Sequence, residues 1–136
     1  YLHNEIGNFA PKADVAMETR LVKLLLEGQP LFESAHDISN GGLAAALTEI
    51  VLKNKIGAEI TIDDVGIALM SETPGQVLIA VDPKNAQALV ALADTHKIEC
   101  RKIGTSGGEN LTINGAVIPL SELSQAHTET FPKLFG

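Results

Sequence analysis

Residues 34–49, SAHDISNGGLAAALTE, decide the fold and carry the first candidate site. Residues 43–52, which begin within this stretch and run past its end, have Leu, Ala, Ile or Val on nearly every side, which predicts a helix buried over most of its surface. Just before it, the side chain of Ser39 or Asn40 is predicted to accept a hydrogen bond from the first free amides of the helix. The sequence thus predicts a polar segment (residues 36–42, the first polar segment) joined directly to a core helix.

The start of that helix is a candidate binding site. Gly41 and Gly42 leave its first N–H groups uncovered, and the positive end of the helix dipole favours an anion such as phosphate. His36 and Asp37 come just before, at the end of a predicted strand over residues 31–38. One turn would then hold an imidazole, a carboxylate and several N–H donors. A polar turn that only caps a helix explains the same residues without a ligand, so both interpretations stay open.

A second polar segment, residues 71–75, leads into a nearly continuous apolar run over residues 76–81. The apolar run predicts a central strand. Ser71, Glu72 and Thr73 place a carboxylate and two hydroxyls at the entrance to that strand, where they can face a cleft. An ordinary exposed Pro-Gly turn has the same composition and remains the alternative.

The rest of the chain mixes helices and strands. Further helices are predicted from Asp14 to about Glu27, from Asp82 to about His96, and from Ser121 to about Thr130. Strands are predicted over residues 57–62 and 98–103, a turn over 104–108, and a hairpin with Asn114-Gly115 at its tip. This order predicts an α+β (mixed α/β) fold with a single sheet of about four to six strands backed by helices. Residues 1–12 are predicted to be a lead-in or linker, and residues 13–136 one domain.

Composition narrows the function classes. The chain has 136 residues, 45% of them hydrophobic, enough for one domain with a real core. The net charge of −7, without a run of Lys or Arg, argues against a nucleic-acid partner and against an anionic membrane surface. We find no signal peptide and no apolar stretch long enough to span a bilayer. A single cysteine, Cys100, fits a reducing, cytoplasmic setting.

The sequence contains no recognisable motif for a complete catalytic or metal site. The four His residues are far apart, and no Cys pair is available as a metal ligand. Nucleotide-binding loops of the GxxxxGK[ST] and GxGxxG types are absent. We therefore predict no catalytic residue and no metal ligand in this chain. The first residue is Tyr1, and we expect the sequence to be a piece of a longer polypeptide.

Four segments, in order, resemble the C-terminal domain of the AIR synthase-related proteins. They are the leucine-rich residues 21–26, residues 35–43, residues 70–81 (MSETPGQVLIAV) and residues 130–136 (TFPKLFG). Within that family, His36-Asp37 before the paired glycines, the SETPG segment and the LFG ending are most similar to the last domain of an ATP-dependent amidotransferase of purine biosynthesis. Asn40 departs from that pattern, which commonly has an acidic residue at this position.

The resemblance implies a reaction. The parent enzyme uses ATP to activate the amide oxygen of formylglycinamide ribonucleotide as an iminophosphate, and ammonia made from glutamine by a partner amidotransferase displaces the phosphate to give the amidine. In this family ATP and Mg²⁺ are held largely by N-terminal-type domains. We therefore expect this domain to bind neither cofactor alone, to be inactive alone, and to have those domains and the glutamine amidotransferase as its partners.

The resemblance also implies where the site lies. Residues 39–42 and residues 71–73 are expected to line one wall of a cleft, with His36 and Asp37 orienting that wall through hydrogen bonds. The cleft is either catalytic or auxiliary. If an acidic residue at position 40 handles a cation or a proton, Asn40 alters the site; if it only caps the helix, Asn serves equally well. Two other functions stay open: a non-catalytic packing module, and a domain of another enzyme of the AIR synthase superfamily.

Overall fold

Helices and strands are mixed along the chain in the computed structural model, which describes residues 13–135 and their side chains as far as Glu129. The elements are α1 (Val15–Gly28), β1 (Phe32–Asp37), α2 (Gly42–Asn54), β2 (Ala58–Ile60), α3 (Val65–Met70), β3 (Val77–Val81), α4 (Pro83–Thr95), β4 (Gly104–Ser106), β5 (Asn110–Ile113), β6 (Ala116–Pro119) and α5 (Leu120–Phe135). A short 3-10 turn, Gln29–Leu31, joins α1 to β1. The predicted α+β class is confirmed. The predicted lead-in, residues 1–12, lies outside the described residues.

The helices predicted from Asp14, Asp82 and Ser121 all form, and the first two begin at the predicted capping residues. The Asp14 carboxylate accepts a hydrogen bond from the Met17 N–H at 2.9 Å and begins α1. The Asp82 carboxylate accepts from the Lys84 N–H at 3.0 Å and begins α4, with Pro83 at the first helical position. The last helix is longer than predicted at both ends, because α5 begins at Leu120 and continues to Phe135.

The strands of the described region form two small sheets instead of one. β1 and β3 form an antiparallel pair, and the other four strands are ordered β4-β2-β5-β6, with β2 parallel to β5. The sequence shows which residues favour strands, but it does not show which strands pair. Within residues 13–135, β3 pairs with β1 and with no second strand, so among the described residues the predicted central position of β3 is wrong. Helices cover its apolar side chains instead: Val77 packs against the α1–α4 core and Leu78 against the α2 core.

The two clusters of buried side chains lie on either side of β3. The larger one joins α2 to the four-stranded sheet, and its members are Leu43, Leu47, Val51, Ala58, Ile60, Ile62 and Leu111. The smaller one joins α1 to α4 through Leu21, Leu24 and Ala93. Because α2 contributes to the larger cluster along its whole length, the predicted core role of this helix is confirmed, and its N-terminus is held in place by packing.

The region around β4 differs from the prediction. Residues 98–103 do not form a strand, and β4 forms at Gly104–Ser106, where a turn was predicted. The alternation of Ile98 and Cys100 reflects packing against the α1–α4 core without a neighbouring strand. Gly104 pairs with Ile60 so closely that a Cβ added to it would lie 2.1 Å from the Glu59 carbonyl oxygen. Glycine is therefore required there by contact, which sequence patterns for turns do not distinguish.

The predicted hairpin at Asn114-Gly115 is confirmed. Both residues have positive φ, 48° and 85°, as a two-residue turn of the primed type requires. The Asn114 side chain also reaches across to the chain leaving β2. Its Oδ1 accepts from the Ile62 N–H at 2.9 Å, and its Nδ2 donates to the Ile62 carbonyl oxygen at 2.8 Å. The hairpin turn therefore also fixes the position of residues 61–63. Across residues 13–135, no helix has both the length and the apolar character needed to cross a bilayer.

Candidate functional site

The two polar segments meet at one end of the β1–β3 pair. The strands are antiparallel, with Asp37 at the end of β1 opposite Val77 at the start of β3. One further bond extends the pair, because the Ile38 N–H donates to the Gln76 carbonyl oxygen at 3.0 Å. The chain therefore leaves β1 into the first polar segment at the same place where it enters β3 from the second. The predicted proximity of the two segments is confirmed.

Direct contacts join them. The Gly41 N–H donates to Oε1 of Glu72 at 2.8 Å. Gly42 has a φ of +63°, and a Cβ added to it would lie 2.5 Å from the Leu69 carbonyl oxygen and 2.9 Å from that of Ser71. The start of α2 thus lies directly against the backbone that leads into the second polar segment. Gly42 is needed for this approach, since a side chain there would push the segments apart. Gly41 is favoured for a different reason: its φ is +79°, and a Cβ added to it would lie 2.8 Å from the Ala45 Cβ of the same helix.

The start of α2 is not capped as predicted. Gly41, at a φ of +79°, is the N-cap residue, and neither Ser39 nor Asn40 accepts a hydrogen bond from the helix through its side chain. The backbone supplies the contact instead, because the Gly42 N–H donates to the Ser39 carbonyl oxygen at 2.9 Å. With the Gly41 N–H bonded to Glu72, the two amides that we expected to face an anion both have acceptors within the chain.

The hydroxyls of the second polar segment bond to each other. Ser71 Oγ and Thr73 Oγ1 are 2.8 Å apart, and either can donate. Ser71 is half-buried, while Glu72 and Thr73 are exposed. The segment therefore presents a carboxylate and a hydroxyl to solvent beside the first polar segment. Ser39, Asn40 and Gly41 are exposed as well, so most of the predicted site residues share one accessible surface.

His36 is held by two acceptors. Its Nδ1 lies 2.7 Å from the Asp37 carbonyl oxygen, and its Nε2 lies 2.8 Å from Oε2 of Glu49. The hydrogen bonds that His36 donates to the Asp37 carbonyl and to Glu49, in that order, raise the pKa of His36 above its usual value of 6.5, and desolvation opposes them. Glu49 was not predicted as a site residue, because a glutamate thirteen positions later in a helix carries no recognisable signal of that pairing.

Asp37 has a different place from the one expected. Its side chain is 76% exposed, and its Oδ1 lies 3.9 Å from His36 Nδ1, at the outer limit of an ion pair. The carboxylate makes no hydrogen bond to the polar segments in the described part of the chain. Its backbone carbonyl, which accepts from His36, is the part of Asp37 that helps to orient the first polar segment.

A depression of about 250 Å³ lies between β1 and α2, next to this histidine. Its lining includes Ser34, His36, Glu49, Lys53 and Asn54. Of the predicted site residues, only His36 contributes to it. Among residues 13–135, no group of three or more His, Cys, Asp or Glu side chains is placed to hold a metal ion. The described residues therefore offer no ready ligand set for Mg²⁺.

Comparison with known proteins agrees with this geometry. Residues 2–114 match the model of the family "AIR synthase related protein, C-terminal domain". The PurL subunit of phosphoribosylformylglycinamidine synthase from Nocardioides sp. is 39% identical over 137 residues, 99% of this chain and 18% of that protein. The PurL subunit from Thermobifida fusca is 38% identical over 99% of this chain and 19% of its own length. This chain thus spans about a fifth of the length of the curated relatives it matches.

Solved structures share the fold. PurLQS from Thermotoga maritima matches with a TM-score of 0.76 at 21% identity, over 82% of this chain and 22% of that one. T. maritima PurL complexed with FGAR matches with a TM-score of 0.67 at 21% identity, over 79% and 21% of the two chains. The same protein complexed with ATP gives 0.72 at 22% identity, over 82% and 22%. The family match over most of the sequence and the shared fold lead to one conclusion: this chain belongs to the AIR synthase-related family, as a C-terminal domain.

Proposed function

We propose that this chain is the C-terminal domain of a phosphoribosylformylglycinamidine synthase and forms one wall of a cleft in that enzyme. The enzyme would use ATP to activate the amide oxygen of formylglycinamide ribonucleotide, and ammonia derived from glutamine would displace the phosphate. The observation that carries the proposal is the meeting of the two polar segments through the bond from Gly41 to Glu72. Their exposed groups, from Ser39 to Gly41 and from Glu72 to Thr73, form the surface that we assign to the wall.

The domain is proposed to work only with the rest of its enzyme. The curated relatives are about five times longer than this chain, which leaves most of such an enzyme to other domains. ATP and Mg²⁺ are assigned to the N-terminal-type domains, since the amides of Gly41 and Gly42 already have acceptors here. The wall therefore contributes shape and polar contacts to the cleft, and it supplies no catalytic group of its own.

Exposed apolar side chains next to the wall support the proposal of a partner domain. Ile67 and Met70 of α3 are 66% and 63% exposed, and Met70 directly precedes the second polar segment. Large apolar side chains that stay exposed beside a polar site are typical of a surface that another domain covers. We assign this surface to an N-terminal-type domain of the same enzyme. The glutamine amidotransferase is the proposed source of ammonia, and the cytoplasm is the proposed location because the chain has a single cysteine.

A chimera tests the proposal. This chain would replace the matching segment of the Nocardioides PurL subunit, which is 39% identical to it, and amidine formation would be assayed with ATP, Mg²⁺, ammonia and formylglycinamide ribonucleotide. We expect activity in the chimera and a loss of at least tenfold on Glu72→Ala. The matched control is Glu99→Ala, an exposed glutamate in a loop outside the wall. A folded chimera that is inactive, beside an active parent subunit, would contradict the proposal.

A second test uses this chain alone. Titration with Mg-ATP in a calorimeter is expected to show no tight binding, since the wall is only part of a cleft. Tight binding would contradict the assignment of ATP to the other domains.

A packing module without a role in the reaction is the second candidate function. The exposed apolar side chains of α1, Val22 at 54% and Leu26 at 73%, favour it, because they form a further apolar surface on a helix that contains neither polar segment. The chimera separates the two candidates. A packing module would restore activity equally well with Glu72→Ala as with the unchanged chain.

A further inference from the structure

We propose that Glu49 is a positioning residue of the wall and acts through His36. The inference rests on the proposed function for its catalytic consequence. Its structural basis is one juxtaposition: the His36 imidazole lies between the Glu49 carboxylate on α2 and the Asp37 carbonyl at the end of β1. We call this arrangement the histidine brace.

The two partners of the imidazole fix its protonation. A carbonyl oxygen carries no proton, so the contact of 2.7 Å between Nδ1 and the Asp37 oxygen requires a proton on Nδ1. The Glu49 carboxylate is likewise an acceptor, and its contact of 2.8 Å requires a proton on Nε2. Only the imidazolium form donates to both at once. Neutral histidine keeps one proton and loses one of the two bonds.

The brace acts on the peptide bond between Asp37 and Ile38. The carbonyl oxygen of that peptide accepts from His36, and its N–H donates to the Gln76 carbonyl oxygen at 3.0 Å. Both polar atoms of the peptide are therefore held, one through α2 and one through the chain entering β3. This peptide lies at the end of β1, just before the segment that carries the Gly41 N–H to Glu72. The orientation of the wall accordingly depends on the brace.

Among the residues that the structure describes, three charged side chains lie near the imidazole. Glu49 lies against Nε2, Asp37 Oδ1 is 3.9 Å from Nδ1, and Lys53 of α2 lines the same depression. On β3 the residue opposite His36 is Leu78, which has no charge. The surroundings favour the imidazolium, in agreement with the raised pKa of His36. The wall is therefore braced below that pKa and released as the pH rises through it.

NMR of the 136-residue chain tests the brace without any enzyme assay. The ring nitrogen shifts of His36 and the backbone amide shifts of Ile38 and Gly41 would be followed against pH. We expect all of them to change with one midpoint. In Glu49→Gln, which keeps the size of the side chain but not its charge, the common midpoint moves to lower pH.

The matched control is Glu27→Gln, which removes the carboxylate from the other His–Glu contact, His96 Nε2 to Glu27 Oε2 at 2.8 Å. This control is expected to leave the His36 and amide midpoints unchanged. Amides of Ile38 and Gly41 that do not follow His36 in the unchanged chain would overturn the brace. So would a His36 midpoint that Glu49→Gln leaves in place.

The chimera gives the catalytic readout. The alkaline limb of its kcat/KM profile for formylglycinamide ribonucleotide is expected to move to lower pH in Glu49→Gln, and to stay in place in Glu27→Gln. An inactive chimera with coupled NMR shifts would overturn the proposed function and leave the brace standing. An active chimera whose kcat/KM profile has the same pH dependence with and without Glu49→Gln would overturn the positioning role of Glu49.

Discussion

Glu72 accepts a hydrogen bond from the Gly41 backbone across 31 positions of sequence, with 2.8 Å between Oε1 and N. A carboxylate at this place is the natural acceptor for an amide at the positive end of α2. The bond ties the entrance of β3 to the start of the core helix. It also places the exposed groups of both polar segments on the same surface.

The first prediction concerns this bond. Glu72→Ala should lower the free energy of unfolding by about 1 kcal/mol, because a typical hydrogen bond contributes about that much and solvent at this exposed site weakens the extra attraction of the charge. Glu72→Gln keeps an acceptor oxygen and should lose less. Urea unfolding followed by circular dichroism measures both, with Glu99→Ala as the control in an exposed loop. Equal stability of Glu72→Ala and Glu99→Ala would contradict the contact.

The second prediction concerns the close approach at Gly42. Gly42→Ala should destabilise the domain by about 2 kcal/mol or more, since a Cβ would lie 2.5 Å from the Leu69 carbonyl oxygen at a φ of +63°. Gly66 in α3 is the matched control, because a Cβ added there meets no atom within 4 Å. Gly66→Ala should leave stability unchanged or raise it by about 0.5 kcal/mol. Thermal unfolding of the two variants checks the contrast, and similar effects of both would refute it.

The third prediction is a pH dependence. The folded state raises the pKa of His36 above its unfolded value of about 6.5. Its contribution to stability is therefore fully present below that unfolded pKa and is lost as the pH rises through the folded pKa. His36→Gln should destabilise the chain most at about pH 6 and least at about pH 9. Urea midpoints measured across this range test the trend, with the exposed His127 replaced in the same way as control. A difference that grows with pH would contradict the sign.

The fourth prediction concerns the Asn114 side chain, whose two hydrogen bonds reach Ile62. Asn114→Ala should cost about 2 kcal/mol or more, because it removes both bonds and places Ala at a positive φ. Asn114→Asp keeps the acceptor but not the donor and should cost less than Ala. The order Asn, Asp, Ala in unfolding free energy is the measured outcome. If Asn114→Asp is no more stable than Asn114→Ala, the hydrogen bond from the Ile62 N–H contributes nothing to the free energy of unfolding.

The fifth prediction concerns the Cys100 thiol. Desolvation, with a smaller effect of Asp94, raises its pKa above the usual value. The thiol should therefore react more slowly with a disulfide reagent at about pH 8 in the folded chain than in urea. Absorbance of the released thiol measures both rates. Equal rates in the two conditions would contradict the packing of Cys100 against the α1–α4 core.

Local patterns predicted the elements that depend on neighbouring residues. The caps at Asp14 and Asp82 and the turn at Asn114-Gly115 each depend on backbone within a few positions, and they formed as predicted. The meeting of the two polar segments followed from the family resemblance, and the antiparallel register of β1 and β3 brings it about.

Contacts between distant residues could not be predicted in the same way. The Glu49 partner of His36, the close approach of Gly104 to Glu59 and the pairing of β2 with β5 each join residues far apart in sequence. A glutamate in a helix, a glycine before a polar turn and an alternating run all have commoner explanations. The role of each of these residues depends on which distant part of the chain packs against it in the folded protein. A single sequence does not show that packing.

The strand order β4-β2-β5-β6 has a consequence for how the polypeptide is made. During synthesis β2 leaves the ribosome early, and both strands that flank it come from residues 104–113. Until those residues emerge, the nascent β2 has two free edges and the apolar side of α2 has no sheet to cover it. A shortened gene product that stops at residue 103 would keep this exposed strand permanently, and we expect it to be recovered in inclusion bodies.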